Sequence, residues 1–190
     1  MLFREHGDLA LRLQGLKRAL AAFEAAGYVE RCGPTLGNLA LTYGALGLYA
    51  RARRTSAQGA ELGLRNASLV SMVNIVAVHS TVEARLGNID ALRRLIADIE
   101  TFNEKRGNAW LAAFIERLRG ELALVQGDAR AACRHFEAGI AGFGGRDDNT
   151  QVIVLLTELG RARLELGDAR AALAATQRAL DGLRDRKSVV

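Results

Sequence analysis

The sequence predicts an all-α protein built as a right-handed solenoid of antiparallel helix pairs, and three observations lead there. Gly7, Gly47, Gly87, Gly127 and Gly167 recur at a spacing of 40 residues, and Gly127-Asp128-Ala129-Arg130-Ala131-Ala132 returns letter for letter at 167–172. Between these glycines apolar residues fall at helical intervals. The chain also holds one proline, Pro34, and 5% aromatics among abundant Ala, Leu, Arg and Glu, a composition that favours helix over strand. A fixed period of this size belongs to stacked supersecondary units. Ordering about 40 residues costs on the order of 60 kcal/mol at roughly 1.5 kcal/mol per residue, and a lone helical hairpin buries too little to offset it. Neighbouring units must supply the remaining burial.

Taken in order, residues 1–6 read as the last turn of a helix, so the chain opens in mid-repeat. Asp8 follows as an N-cap, and Leu9, Leu13, Leu16, Leu20 and Phe23 give a helix to about Ala26. Gly27, Gly33 and Pro34 are expected to bound the connection to the next unit. One domain over 1–184 results, with a half-repeat at 1–33 and repeats at about 34–66, 67–107, 108–149 and 150–184. The first full repeat carries Leu36, Leu39, Leu41 and Tyr43 in its first helix and Tyr49, Ala52, Ala57 and Leu62 in its second. The next places Leu69, Val73, Val76, Val82 and Leu86 before Gly87 and Ile89, Leu92, Leu95, Ile96 and Ile99 after it. The third has Trp110, Ala113, Phe114, Leu118, Leu122 and Val125, then Ala132, Phe136 and Ile140. Its exit, 142–149, is glycine-rich and reads as the most flexible loop. The fourth shows Val152, Leu155, Leu156, Leu159, Ala162 and Leu166, then Ala169, Ala172, Leu173, Thr176, Ala179, Leu180 and Leu183. Asn88, Asp128 and Asp168 stand at N-cap positions. Ala40, Ser80, Gly120 and Gly160, again 40 apart, mark close approach in the first helices, as do Ala19, Gly59, Gly139 and Ala179 in the second, where Ile99 is the exception.

Residues 185–190 (DRKSVV) break the helical pattern and look like the translation of a widely used sequencing adapter, so this tail is expected to be non-native and the chain to be a fragment. Leu173, Leu180 and Leu183 then have no following helix to cover them, which leaves self-association through uncapped ends open. The net charge of +5 permits an acidic partner. The arginines alternate with apolar positions along the second helices, which makes them a solvated face and not a nucleic-acid stripe. Cys32 and Cys133 lack metal or redox spacing, and no signal core or membrane-length apolar run occurs, so the expected setting is the reducing cytoplasm.

Leu39-Ala40 with Tyr43, Gly47, Ala52 and Gly59 resembles a tetratricopeptide repeat. So do Gly120, Gly127-Asp128, Ala132, Phe136 and Gly139, and Leu159-Gly160 with Gly167-Asp168, Ala172 and Ala179. The period departs from that family's 34 residues, the closing proline is absent, and His79-Ser80 stands where Leu-Gly is expected. The longer period is similar to the repeat regions of bacterial maltose-activator and LuxR-type signalling ATPases and of multidomain nucleotide cyclases. The resemblance implies a protein-interaction or effector-sensing module of a larger signalling or transcription-regulatory protein. The alternative it implies is the regulatory segment of a cyclase or ATPase whose catalytic domain lies outside this chain.

No catalytic, metal or cofactor set is expected. His6, His79 and His135 occupy unrelated repeat positions, and Cys133 and His135 are two apart on a helix, so their side chains diverge. His79 reads as a hydrogen-bonded core histidine. Asp147-Asp148-Asn149 lacks the spacing of a calcium loop. Trp110 and Phe114 share a face and read as core. The resemblance implies a concave groove lined by the first helices at positions ten and six before each turn glycine. These are Gly37 and Leu41, Ala77 and Thr81, Arg117 and Glu121, and Thr157 and Arg161. Arg117 and Arg161 would hold a carboxylate or phosphate of a protein, peptide or small effector, with Glu121 orienting one of them. The competing reading makes Arg117 and Glu121 a surface salt bridge.

Overall fold

The computed structural model describes residues 8–66, 69–147 and 149–188. Among these are nine helices and no strand: α1 (Leu9–Ala25), α2 (Val29–Ala45), α3 (Tyr49–Asn66), α4 (Leu69–Arg85), α5 (Ile89–Glu104), α6 (Ala109–Val125), α7 (Ala129–Gly142), α8 (Thr150–Glu165) and α9 (Ala169–Ser188). The expected helical turn before Asp8, Gly7 itself and Asp148 lie outside the described residues. Two compact units divide the chain, one over 1–88 with α1 to α4 and one over 89–190 with α5 to α9.

A single turn design joins successive helices. Gly47, Gly87, Gly127 and Gly167 take φ of 71°, 69°, 80° and 79°, the left-handed conformation that stops a helix without a Cβ penalty. The residue after each closes back on the helix it leaves, as in Leu48 N to Tyr43 O (2.9 Å) and Asp128 N to Ala123 O (2.9 Å). Gly27 and Gly107, 20 residues before Gly47 and Gly127, are left-handed too, at 71° and 58°. The turn therefore recurs at the half-period as well. Side-chain caps start the helices: Asp8 to Ala10 N, Asn108 to Leu111 N, Asp128 to Ala131 N, Asn149 to Gln151 N and Asp168 to Ala171 N, all at 2.8–3.0 Å. Asn88 turns its amide to Glu83 instead.

In the first unit α2 begins at Val29, six residues before the expected start, so Gly33 and Pro34 lie inside the helix and do not bound a connection. Pro34 loses one intrahelical bond, and Gly33 serves close packing. A Cβ on Gly33 would sit 2.7 Å from Ile75 Cδ1 of α4. Leu39, Tyr43, Ala52 and Val82 form a core against which Leu13, Leu16 and Leu20 of α1 pack. In α3 the buried face is Ala52, Ser56, Gly59, Ala60 and Gly63, whereas Ala57 and Tyr49, expected in the stripe, are exposed. Helices approach too closely there for large side chains: a Cβ on Gly59 would meet Ile75 Cγ2 at 3.1 Å and Leu36 Cβ at 3.2 Å.

The second unit repeats this logic. Phe114, Leu118, Phe136, Leu155 and Leu156 are at most 0% exposed and fill its centre. Gly120 lies beneath the Phe136 ring, Gly160 beneath Thr176 of α9, and Gly139 against Leu155 and the Ala113 carbonyl. α9 buries Ala172, Ala175 and Ala179 and turns Leu173 (70% exposed), Leu180 and Leu183 outward. Its backbone stays helical to Ser188, past position 185 where the apolar pattern stops. The 142–149 exit is held instead of free. Phe143 is buried edge-on against Trp110 at 5.5 Å, and Arg178 grips Asp147 through Nε–Oδ2 (3.1 Å) and Nη2–Oδ1 (2.7 Å).

Candidate binding surface

The first helices carry the expected groove positions, and their environments differ. On α2, Gly37 is buried and Leu41 is 44% exposed. On α4, Ala77 is buried, and Thr81 donates its hydroxyl to the Ala77 carbonyl at 2.9 Å, which satisfies it within its own helix. On α8, Thr157 is exposed with its hydroxyl on Ile153 O, and Arg161 is 56% exposed, reaching Glu158 at 3.3 Å and Glu165 at 3.6 Å.

On α6, Arg117 and Glu121 do pair, but inside the protein and not at the surface. Their side chains are 8% and 7% exposed, with Arg117 Nε donating to Glu121 Oε1 at 3.0 Å. Gln151 of α8 receives Arg117 Nη1 at 3.3 Å, and the guanidinium lies 6.0 Å from the Phe114 ring centroid. Glu121 Oε2 is buried and, among the described residues, without a hydrogen-bond partner. Periodicity placed the pair on one face correctly, but α8 closes over that face through Gln151.

The largest polar cluster was missed by sequence reasoning. Ser56 Oγ lies 2.9 Å from His79 Nδ1, and His79 Nε2 lies 3.9 Å from Glu83 Oε1. Arg53 Nε donates to the same oxygen at 2.9 Å and Asn88 Nδ2 to Oε2 at 2.5 Å. The residue types are those of a hydrolytic triad, but Ser56 is 0% exposed and donates to Arg53 O at 3.0 Å, so its hydroxyl faces no substrate. His79 is a hydrogen-bonded core histidine. Burial holds its imidazole below the usual histidine range, Glu83 pulling it back up and Arg53 pushing it further down. A signal existed: Ser56 and His79 stand where the other repeats carry large core residues such as Phe136 and Leu159, so two core positions become polar together.

Elsewhere the charges link neighbouring helices. Arg119 joins Glu100 and Glu116, His135 Nδ1 meets Glu116 Oε2 at 2.7 Å, and Arg163 meets Glu137 at 2.8 Å. Burial raises the thiol pKa of both Cys32 and Cys133, which keeps them protonated. Among the described residues no three His, Cys, Asp or Glu side chains group as a metal site, and no helix is long and apolar enough to cross a membrane.

One opening stands on the first-helix face of the first unit. α2 and α4 leave a half-open cleft of about 250 Å³ lined by Pro34, Gly37 and Asn38 on one side and Asn74, Ile75 and Val78 on the other.

No family model matches the chain, and no curated protein sequence matches it. Among solved structures, BtubC (BKLC) from P. vanneervenii superposes with a TM-score of 0.63 at 14% identity, over 94% of this chain and 75% of that one. The fold is tetratricopeptide-like. A crystal structure of MamA aligns over 98% of this chain and 99% of its own with a TM-score of 0.46 at 15% identity. MamA 41-end from Desulfovibrio magneticus RS-1 aligns over 95% and 98% with 0.45 at 12%.

Proposed function

We propose that the chain is a protein-interaction module that receives a partner on the exposed parts of its first-helix faces. The observation that carries this reading is the cleft between α2 and α4, since these two helices otherwise pack against each other along a buried face. At about 250 Å³ it falls below the roughly 300–1,000 Å³ of cofactor and small-molecule pockets and suits one or two residues of another chain. Leu41 on α2 and Arg161 on α8 extend the available surface in their respective units. Arg161 takes the anion-holding role within this proposal, because Arg117 is committed to Glu121 and Gln151. In its wider setting the module serves as the sensing or docking arm of a bacterial signalling or transcription-regulatory protein in the cytoplasm. The alternative setting is the regulatory segment of a multidomain cyclase or ATPase. Both rest on the sequence resemblance.

A photo-crosslinking amino acid tests the binding role. Placed at Leu41 or Arg161, it gives discrete adducts in a lysate of the source cells, whereas the same group at Arg54 or Arg134 on the second helices gives none. Adducts confined to the second-helix positions would overturn the reading.

A further inference from the structure

Resting on that reading, the α2/α4 cleft also has a definite chemistry. Its floor is apolar, from Pro34, Ile75 and Val78, and Gly37 presents no side chain into it. The polar groups on its lining side chains are the amides of Asn38 on α2 and Asn74 on α4, both exposed. Among the described residues neither amide has a hydrogen-bond partner, although the Asn38 main-chain carbonyl accepts from Thr42 Oγ1 at 2.8 Å. No charged side chain lines the opening.

We infer that the cleft binds an extended, uncharged stretch of a partner polypeptide by its main chain. A primary amide offers one acceptor and two donors, the complement of a peptide group's N–H and C=O. It has no use for an isolated carboxylate or ammonium, which would also lose hydration against this uncharged floor. Spacing agrees with the chemistry. Packed helices lie roughly 8–10 Å apart, and an extended chain advances about 3.3 Å per residue, so the two amides address peptide groups two or three residues apart. The side chain between them is set over Pro34, Ile75 and Val78, which selects a small or medium apolar residue there. Sequence preference is therefore loose and confined to that residue, while the main chain supplies the bonds.

The test begins with a phage-displayed library of random 12-residue peptides selected on the whole chain. Synthetic versions of the enriched peptides are then measured by fluorescence polarisation. The expected consensus is uncharged around one apolar position. Asn38→Leu and Asn74→Leu each weaken binding about tenfold, in line with a lost hydrogen bond that leaves a partner group unpaired. Because both side chains are exposed, the thermal midpoints stay unchanged, and N-methylation of one main-chain position in the peptide reproduces the loss. The inference is overturned if no peptide enriches, if the enriched set is acidic or basic, or if binding is indifferent to both substitutions. Crosslinks from Leu41 alongside Asn-independent peptides remove this inference alone. Loss of the crosslinks as well removes the reading on which it rests.

Discussion

Gly120→Ala separates close helix packing from simple helix propensity, since the two effects oppose each other at this residue. Gly120 sits inside α6, where alanine would by propensity stabilise the helix by about 0.5–1 kcal/mol. A Cβ there, however, would lie under 3.0 Å from three carbons of the Phe136 ring. That ring is 0% exposed, so it has no solvent side to retreat to. Overpacking of this kind costs roughly 1–3 kcal/mol, occasionally more, and the balance is a net loss of about 1–2 kcal/mol. For a chain of this length the thermal midpoint falls by about 3–6 °C. Gly44→Ala, with nothing within 4 Å of its added Cβ, is the matched control and raises the midpoint. Urea or thermal denaturation followed by circular dichroism reads both. Phe136→Leu in the Gly120→Ala background recovers part of the loss, with a coupling of about 0.5–3 kcal/mol. If Gly120→Ala stabilises as Gly44→Ala does, the close-approach argument is wrong.

Other consequences can be measured alongside. His79 is held below its unfolded value of 6.5, so the unfolded chain takes up this proton first. Stability from this group is complete above about pH 6.5 and is lost as the pH falls below it. The urea midpoint should drop between pH 7.5 and 5.5 more in the wild type than in His79→Leu, and equal slopes would argue against it. Arg53→Ala removes one of the two donors to a Glu83 carboxylate that is 2% exposed. It should cost about 1–3 kcal/mol, whereas Arg161→Ala, on the surface, stays within about 0.5 kcal/mol. Asp147→Ala frees Arg178 and the exit of α7, and hydrogen exchange should rise at 143–149 with little change in α6.

How much of this was legible in the letters depends on which physical rule each feature obeys. Left-handed turns admit few residues besides glycine, so Gly47, Gly127 and their kin announce the repeat directly, and Asp128 and Asp168 cap where a short acceptor is needed. Burial was harder to read in the second helices. In α3 and α9 the faces that pack are alanine, serine and glycine, because the backbones meet closely, while Leu173 and Leu180 point outward. A hydrophobicity pattern follows the leucines and selects the wrong stripe. Pro34 misled for a different reason: one proline near a helix start costs a single hydrogen bond, and burial of Leu36, Leu39 and Gly33 keeps the helix continuous around it. Periodicity put Arg117 and Glu121 four apart on one face, but their burial depends on Gln151, 34 residues beyond Arg117. Ser56 and His79 are 23 apart and joined only by the packing of α3 on α4.

The central claim, that first-helix surfaces bind and second-helix surfaces do not, meets its most direct test in one affinity comparison. The partner recovered by crosslinking is titrated against Leu41→Asp, Arg161→Glu, Arg54→Glu and Arg134→Glu, all at exposed positions. The account predicts that the first two weaken binding by about tenfold or more, near 1.4 kcal/mol, while the last two match the wild type. Weakening by the second-helix variants with the first-helix variants unaffected would contradict it.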